Sequence, residues 1–117
     1  MFEIETYESL RQSVESLCER LSAHRVAQQK IFDSKLVLYE LLGNVLQHSQ
    51  GGAKWSGELV GEYVELRIIA ATPYTPPEHG QCAEVESEHG RGWFLIDQLC
   101  EERFYENGEI FIKICIK

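Results

Sequence analysis

"YELLGNVLQHS", Tyr39 to Ser49, carries a carboxylate, an amide and an imidazole four residues apart: Glu40, Asn44 and His48. Each residue of an α-helix turns the chain by about 100°, so a helical segment puts all three in one row. Val37, Leu38, Leu41, Leu42, Val45 and Leu46 then cover one broad apolar side, and Glu40, Gly43, Asn44, Gln47 and His48 cover the other. Two readings of the polar side stand open. It is the solvated face of an amphipathic helix, or it is a site. Solvated faces commonly mix lysine or arginine with acids to form pairs one turn apart, and this row holds neither. Gly43 costs up to about 1 kcal/mol relative to alanine inside a helix, and such a glycine often marks a close approach to the backbone. As a site, the row suits a nucleotide. Glu40 would orient or deprotonate a nucleophile, Asn44 would offer a hard amide oxygen to magnesium, and His48 would donate to phosphate.

Working outward, Asp33 or Ser34 is placed to cap this helix, and Gln50–Gly52 is placed to end it, since glycine readily takes the left-handed cap conformation. Upstream, "FEIETY" alternates as a strand, and Leu10, Val14, Leu17, Cys18 and Leu21 repeat at helical spacing. "AHRVAQQK" reads as the connection between the two helices. Downstream, "AKWSGELV" and "EYVELRIIA" flank Gly61 as a hairpin. Residues 72–92 contain all three prolines and three glycines, show no period, and read as a long loop. A short helix, "WFLIDQLC", and a second hairpin, "ERFYE" and "IFIKICIK" around "NGE", close the chain. The order predicts one α/β (α+β) domain over residues 1–117, a largely antiparallel sheet covered on one face by about three helices.

"EHGRGWFLI" places Gly90 and Gly92 just ahead of the third predicted helix. Free amides at a helix N-terminus make an anion site, and glycine lets a phosphate approach. The plainer reading is an ordinary loop-to-helix junction. Arg91 pairs either with phosphate or with surface carboxylates. Trp93 reads as core or pocket wall.

The chain has 117 residues and a formal net charge of -8. That balance disfavours direct binding to nucleic acid or an anionic membrane and allows a basic protein partner. No apolar run approaches the roughly 18 residues of a membrane span, and "MFEIETYE" lacks the basic start of a secretory signal. A cytoplasmic protein is the expectation. Cys18, Cys82, Cys100 and Cys115 lie far apart with no CxxC pair, so a zinc site is not expected. Cys18, Cys100 and Cys115 sit in apolar-patterned segments and read as reduced core residues.

Together these segments resemble the GHKL ATPase superfamily of histidine-kinase ATP-binding domains, gyrase and Hsp90. Within it the chain looks most like the small anti-sigma-factor serine kinases of bacterial partner-switching systems. "ELLGNVLQH", Glu40–His48, is similar to the N box E-L/A-x-x-N-x-x-x-H, and "GRGWFLI", Gly90–Ile96, to the second glycine box G-R-G-L-x-L-I, with Trp93 for leucine. The resemblance covers almost the whole chain. It implies the Bergerat two-layer sandwich, a mixed, mostly antiparallel sheet under helices. It implies Glu40 at the catalytic-base position, Asn44 at the magnesium-ligand position, and Gly90 and Gly92 as phosphate-cradling glycines, with His48 and Arg91 at the nucleotide. It also implies ATP and Mg2+ as cofactors and a sigma factor or STAS-domain anti-anti-sigma protein as partner; a homodimer is compatible. One box departs. Where the family has D-x-G-x-G-F-x-P, this chain has "IAATPYTP", Ile69–Pro76. Ile69 cannot accept the adenine amino hydrogen bond, and Pro73 fixes a backbone angle that glycine leaves free. An unpaired buried adenine group costs about 1–3 kcal/mol, roughly ten- to a hundredfold in affinity. The expectation is therefore a regulator acting by protein contact, with nucleotide binding weak or lost. The alternative is an active Mg-ATP-dependent serine kinase acting on a STAS-domain antagonist.

Overall fold

The computed structural model describes residues 1–72, 76 and 88–117, apart from the side chains of residues 88–91. Residues 77–87 of the predicted long loop, Pro73 and Tyr74 of the altered box, Cys82 and the Arg91 side chain lie outside the described residues. The elements run β1 (Phe2–Ile4), α1 (Tyr7–Ala23), α2 (Gln28–His48), β2 (Ala53–Val60), β3 (Tyr63–Ala70), α3 (Glu88–Leu99), β4 (Glu102–Glu106) and β5 (Glu109–Cys115). This is the predicted order.

Local chemistry accounts for most boundaries. Thr6 caps α1: its hydroxyl accepts from the Ser9 amide at 3.1 Å, and Ser9 Oγ accepts from the Thr6 amide at 3.0 Å. This is a reciprocal capping box. α1 ends at Ala23, where the predicted connection begins, and it does so without a glycine. Arg25 takes the left-handed conformation at φ 61, and the Val26 amide donates back to the Leu21 carbonyl. Two residues further on, α2 begins, with Ala27 as an N-cap that makes no side-chain hydrogen bond. Asp33 and Ser34 are therefore not caps. Both lie inside α2, where Ser34 is fully buried and its hydroxyl donates to the Lys30 carbonyl at 2.9 Å. Packing of Ile31 and Ser34 into the core extends the helix past the point where cap propensity would start it. At the other end Ser49 is the C-cap, and Gly51 and Gly52 both take positive φ.

The sheet order is β1-β2-β3-β5-β4, with every pairing antiparallel. Alternation along the strands sends one set of side chains toward the helices. Trp55, Ile68 and Ile110 make one buried row across β2, β3 and β5, and Leu66 and Ile112 the next. Leu10, Val14, Leu17 and Leu21 of α1 and Val37, Leu38, Leu41, Leu42 and Val45 of α2 close over these rows. The opposite face of the sheet carries Lys54, Glu65, Arg67, Phe111 and Lys113 and no helix among the described residues. Cys18, Cys100 and Cys115 are free and half-buried, and burial pushes the Cys18 and Cys100 thiols up.

Trp55 is fully buried, and its indole N–H donates to Ser13 Oγ at 2.9 Å. Removing the acceptor leaves that donor without a partner. Ser13→Ala is therefore expected to cost about 1–3 kcal/mol, read as a lower urea midpoint at unchanged slope. A cost within error of zero would mean that the hydroxyl does not hold the indole.

Candidate functional site

α2 is the middle helix of its layer and packs against both α1 and α3. Its polar row therefore meets α3 rather than open water over much of its length. Asn44 is 7% exposed and Glu40 half-buried. His48, in the last turn, is exposed.

The contact from α3 is made by Gly92. A Cβ built there would lie 2.6 Å from Oε2 of Glu40 and 3.3 Å from Nδ2 of Asn44. Only a bare Cα fits without displacing one of them. Glu40 and Asn44 of α2 are thus brought against Gly92 of α3. The Asn44 amide is more telling. Its Nδ2 is buried and has no hydrogen-bond partner among the described residues. Buried polar atoms are nearly always paired, and leaving one unpaired costs about 1–3 kcal/mol. An orphan amide beside a carboxylate and a Cβ-free helix turn is an arrangement that a polar ligand would complete.

Two expectations are corrected, and the facing of Ile69 is decided. Gly43 does not mark the close approach: a Cβ there would meet only Tyr7 Oη, at 3.9 Å. The close approach belongs to Gly92, across the helix pair. Gly90 and Gly92 do not precede the third helix, since α3 begins at Glu88 and contains both. Packing against α2 outweighs the low helix propensity of glycine. The free amides of α3 consequently belong to the turn that holds Gly90, and Gly92 contributes its lack of a side chain instead. Ile69 does not face the helices. Val64, Leu66 and Ile68 are buried beneath them, and Ile69 sits in register between Lys54 and Glu109 on the other face. It lines a hollow of about 450 Å³ with Glu3, Lys54 and Ala71. On either face, Ile68 to Thr72 contain no carboxylate.

Two connections that the sequence did not suggest hold the site in place. Ser49 Oγ and Thr72 Oγ1 lie 2.9 Å apart, and Thr72 Oγ1 also accepts from the Gln50 amide at 2.9 Å. These bonds tie the end of α2 to the end of β3. On α3, Trp93 is buried next to Gly92, with the Arg103 guanidinium 4.6 Å above its ring and paired to Asp97. This clamp fixes α3 to β4. Both connections join residues without a local spacing rule, so no periodicity could reveal them.

No protein-family model matches the chain, and no curated protein sequence does. Among solved structures the chain matches Acinetobacter baumannii histidine kinase AdeS, with a TM-score of 0.57 and 19% identity over 98% of this chain and 66% of that chain. The likeness is one of fold: among the described residues, three helices on one face of a five-stranded antiparallel sheet. This chain spans 66% of the length of that histidine kinase chain. Among the described residues no helix is long and apolar enough to cross a membrane.

Proposed function

We propose that the protein is a regulator of the GHKL type that acts by gripping a partner protein, with a nucleotide site that keeps its phosphate end and lacks its adenine reader. The observation that carries the reading is the contrast between the two ends of the site. Glu40, the orphan Asn44 amide and bare Gly92 converge at one end. At the end of β3, Ile68 to Thr72 offer no carboxylate. The first group is compatible with a phosphate: the unpaired Asn44 Nδ2 would donate to a phosphate oxygen, and the Asn44 amide oxygen would be the magnesium ligand that the resemblance implies. A bound Mg2+ would supply charge neutralisation there. The second group lacks the carboxylate that the resemblance implies as the acceptor for the adenine amino group.

The partner follows from the resemblance to partner-switching kinases: a sigma factor or a STAS-domain antagonist, held through a protein surface while nucleotide affinity is low. The acidic balance suits a partner with a basic patch, and that attraction weakens as salt screens it. A second reading, an active Mg-ATP-dependent serine kinase, is favoured by one observation: Glu40 stands directly beside Asn44 and Gly92, where a base would be useful.

Calorimetric titration with ATP and magnesium, with ADP and GTP as controls, separates the two. We expect ATP binding weaker than micromolar; micromolar or tighter binding overturns the regulator reading. Glu40→Ala is the companion experiment. For a regulator it leaves partner binding nearly untouched. ATP-dependent serine phosphorylation of a STAS-type partner that disappears in Glu40→Ala would promote the kinase.

A further inference from the structure

The face of the sheet opposite the helices carries an unusual pair of features for a surface that no helix or strand covers among the described residues. Phe104 of β4 and Phe111 of β5 stack at 4.8 Å between ring centroids, and Phe104 remains 49% exposed. Next to them, in the adjacent cross-strand row, Glu65, Lys113 and Glu102 stand side by side on β3, β5 and β4. Between the two rows lies a recess of about 310 Å³, lined by Glu65, Glu102, Phe104, Phe111 and Lys113.

The charges of this face are not balanced locally. Arg67 is taken up by Glu109 at 2.6 Å, and Lys54 reaches Glu3 at 3.4 Å. Lys113 is flanked by two acids, yet its ammonium sits over the Tyr63 ring, 4.9 Å from the centroid. Neither Glu65 nor Glu102 has an ion-pair partner among the described residues, and both are exposed. The recess therefore offers an aromatic wall and two open carboxylates. A guanidinium is the group that uses both, lying flat against the rings while its edges meet the carboxylates.

We infer that the open face of the sheet, centred on Phe104, Phe111, Glu65 and Glu102, docks a basic segment of a partner protein through an arginine side chain seated in this recess. The inference rests on the reading of the protein as a partner-binding regulator and adds where the partner sits. Charge selects the occupant. A second copy would bring Glu65 and Glu102 toward acids of its own, and each copy carries a formal net charge of -8, so like charges oppose that pairing. An arginine-bearing segment meets complementary charge and apolar surface together. An acidic segment meets neither.

The test uses the full chain and a fluorescein-labelled hexa-arginine peptide, with hexa-lysine and hexa-glutamate as controls. Binding is followed by fluorescence anisotropy at low and at high salt, and mapped by amide chemical shifts in the 15N-labelled protein. We expect hexa-arginine to bind more tightly than hexa-lysine, hexa-glutamate not to bind, and the shifts to cluster on β3, β4 and β5. Phe104→Ala and the double variant Glu65→Gln/Glu102→Gln should each weaken hexa-arginine about tenfold, with Glu15→Gln/Glu19→Gln on α1 as the control that does not. All the substituted side chains are exposed, and circular dichroism confirms folding. Shifts confined to the helices, or equal loss in the α1 control, overturn the docking site while leaving a partner site elsewhere intact. A concentration-dependent dimer broken by Phe104→Ala also overturns it, in favour of a second copy. Failure of the regulator reading itself is registered separately, by the ATP titration.

Discussion

Gly52→Ala is expected to lower the melting temperature by about 10–15 °C. Gly52 follows the end of α2 and starts the chain into β2, with φ at 79. Two costs coincide there. An L-residue in the left-handed conformation costs roughly 1–2 kcal/mol. A Cβ at this position would also lie 2.1 Å from the Ile4 carbonyl oxygen and 3.1 Å from the Glu5 Cα, both backbone atoms. No side-chain rotation relieves such a contact, so β1 must move away from β2. That movement loosens the pairing of Phe2 with Trp55 and the packing of their rings, now 4.9 Å apart. The sum is about 3 kcal/mol, at roughly 4 °C per kcal/mol for a domain of this size. Gly61→Ala supplies the control. Gly61 has a similar φ of 62, but a Cβ there meets nothing within 4 Å, so only the conformational cost of about 1 kcal/mol applies. Equal shifts in the two variants would show that β1 does not press on Gly52.

Asn44→Leu is expected to raise stability by about 1–2 kcal/mol and to remove whatever affinity the protein has for magnesium and phosphate. Replacing an unpaired buried amide by an apolar side chain of similar size removes the desolvation cost of that amide. A gain in stability that accompanies a loss of binding is the pattern expected where a binding site stores an unfavourable group. Thermal unfolding without ligand reads the first part. The second is read by adding millimolar Mg-ATP. A ligand at about a hundred times its dissociation constant adds about 2.7 kcal/mol to the folded state; the unaltered protein should gain part of this and Asn44→Leu none. Loss of stability in Asn44→Leu would mean that the amide has a partner within the chain, and the case for a site between α2 and α3 would fall with it.

The row on α2 was readable as a candidate because helical spacing is a local property. Glu40 and Asn44 are four residues apart, so one turn of helix brings them together whatever the rest of the chain does. The element order was readable for the same reason: strands announce themselves by alternation and turns by residues such as Asn107 and Gly108, which do take positive φ. Boundaries were less legible. Asp33 and Ser34 have the chemistry of caps, but burial of Ile31 and Ser34 starts α2 at Gln28 instead. Gly90 and Gly92 have the chemistry of a loop, but lie inside α3.

The sequence by itself determined the class of fold and the polar row on α2, through periodicity and turn chemistry. Only the tertiary structure decided which residues meet. Gly92 rather than Gly43 makes the close approach to Glu40 and Asn44, because α3 crosses α2 at the point that the Trp93–Arg103–Asp97 clamp sets. Ile69 faces away from the helices because the register with Lys54 and Glu109 puts Ile68 inside, and a pleated strand alternates its side chains strictly. Periods of 3.6 and 2 are carried by neighbours along the chain. Contacts between elements depend on packing among residues far apart in sequence, which no local pattern records.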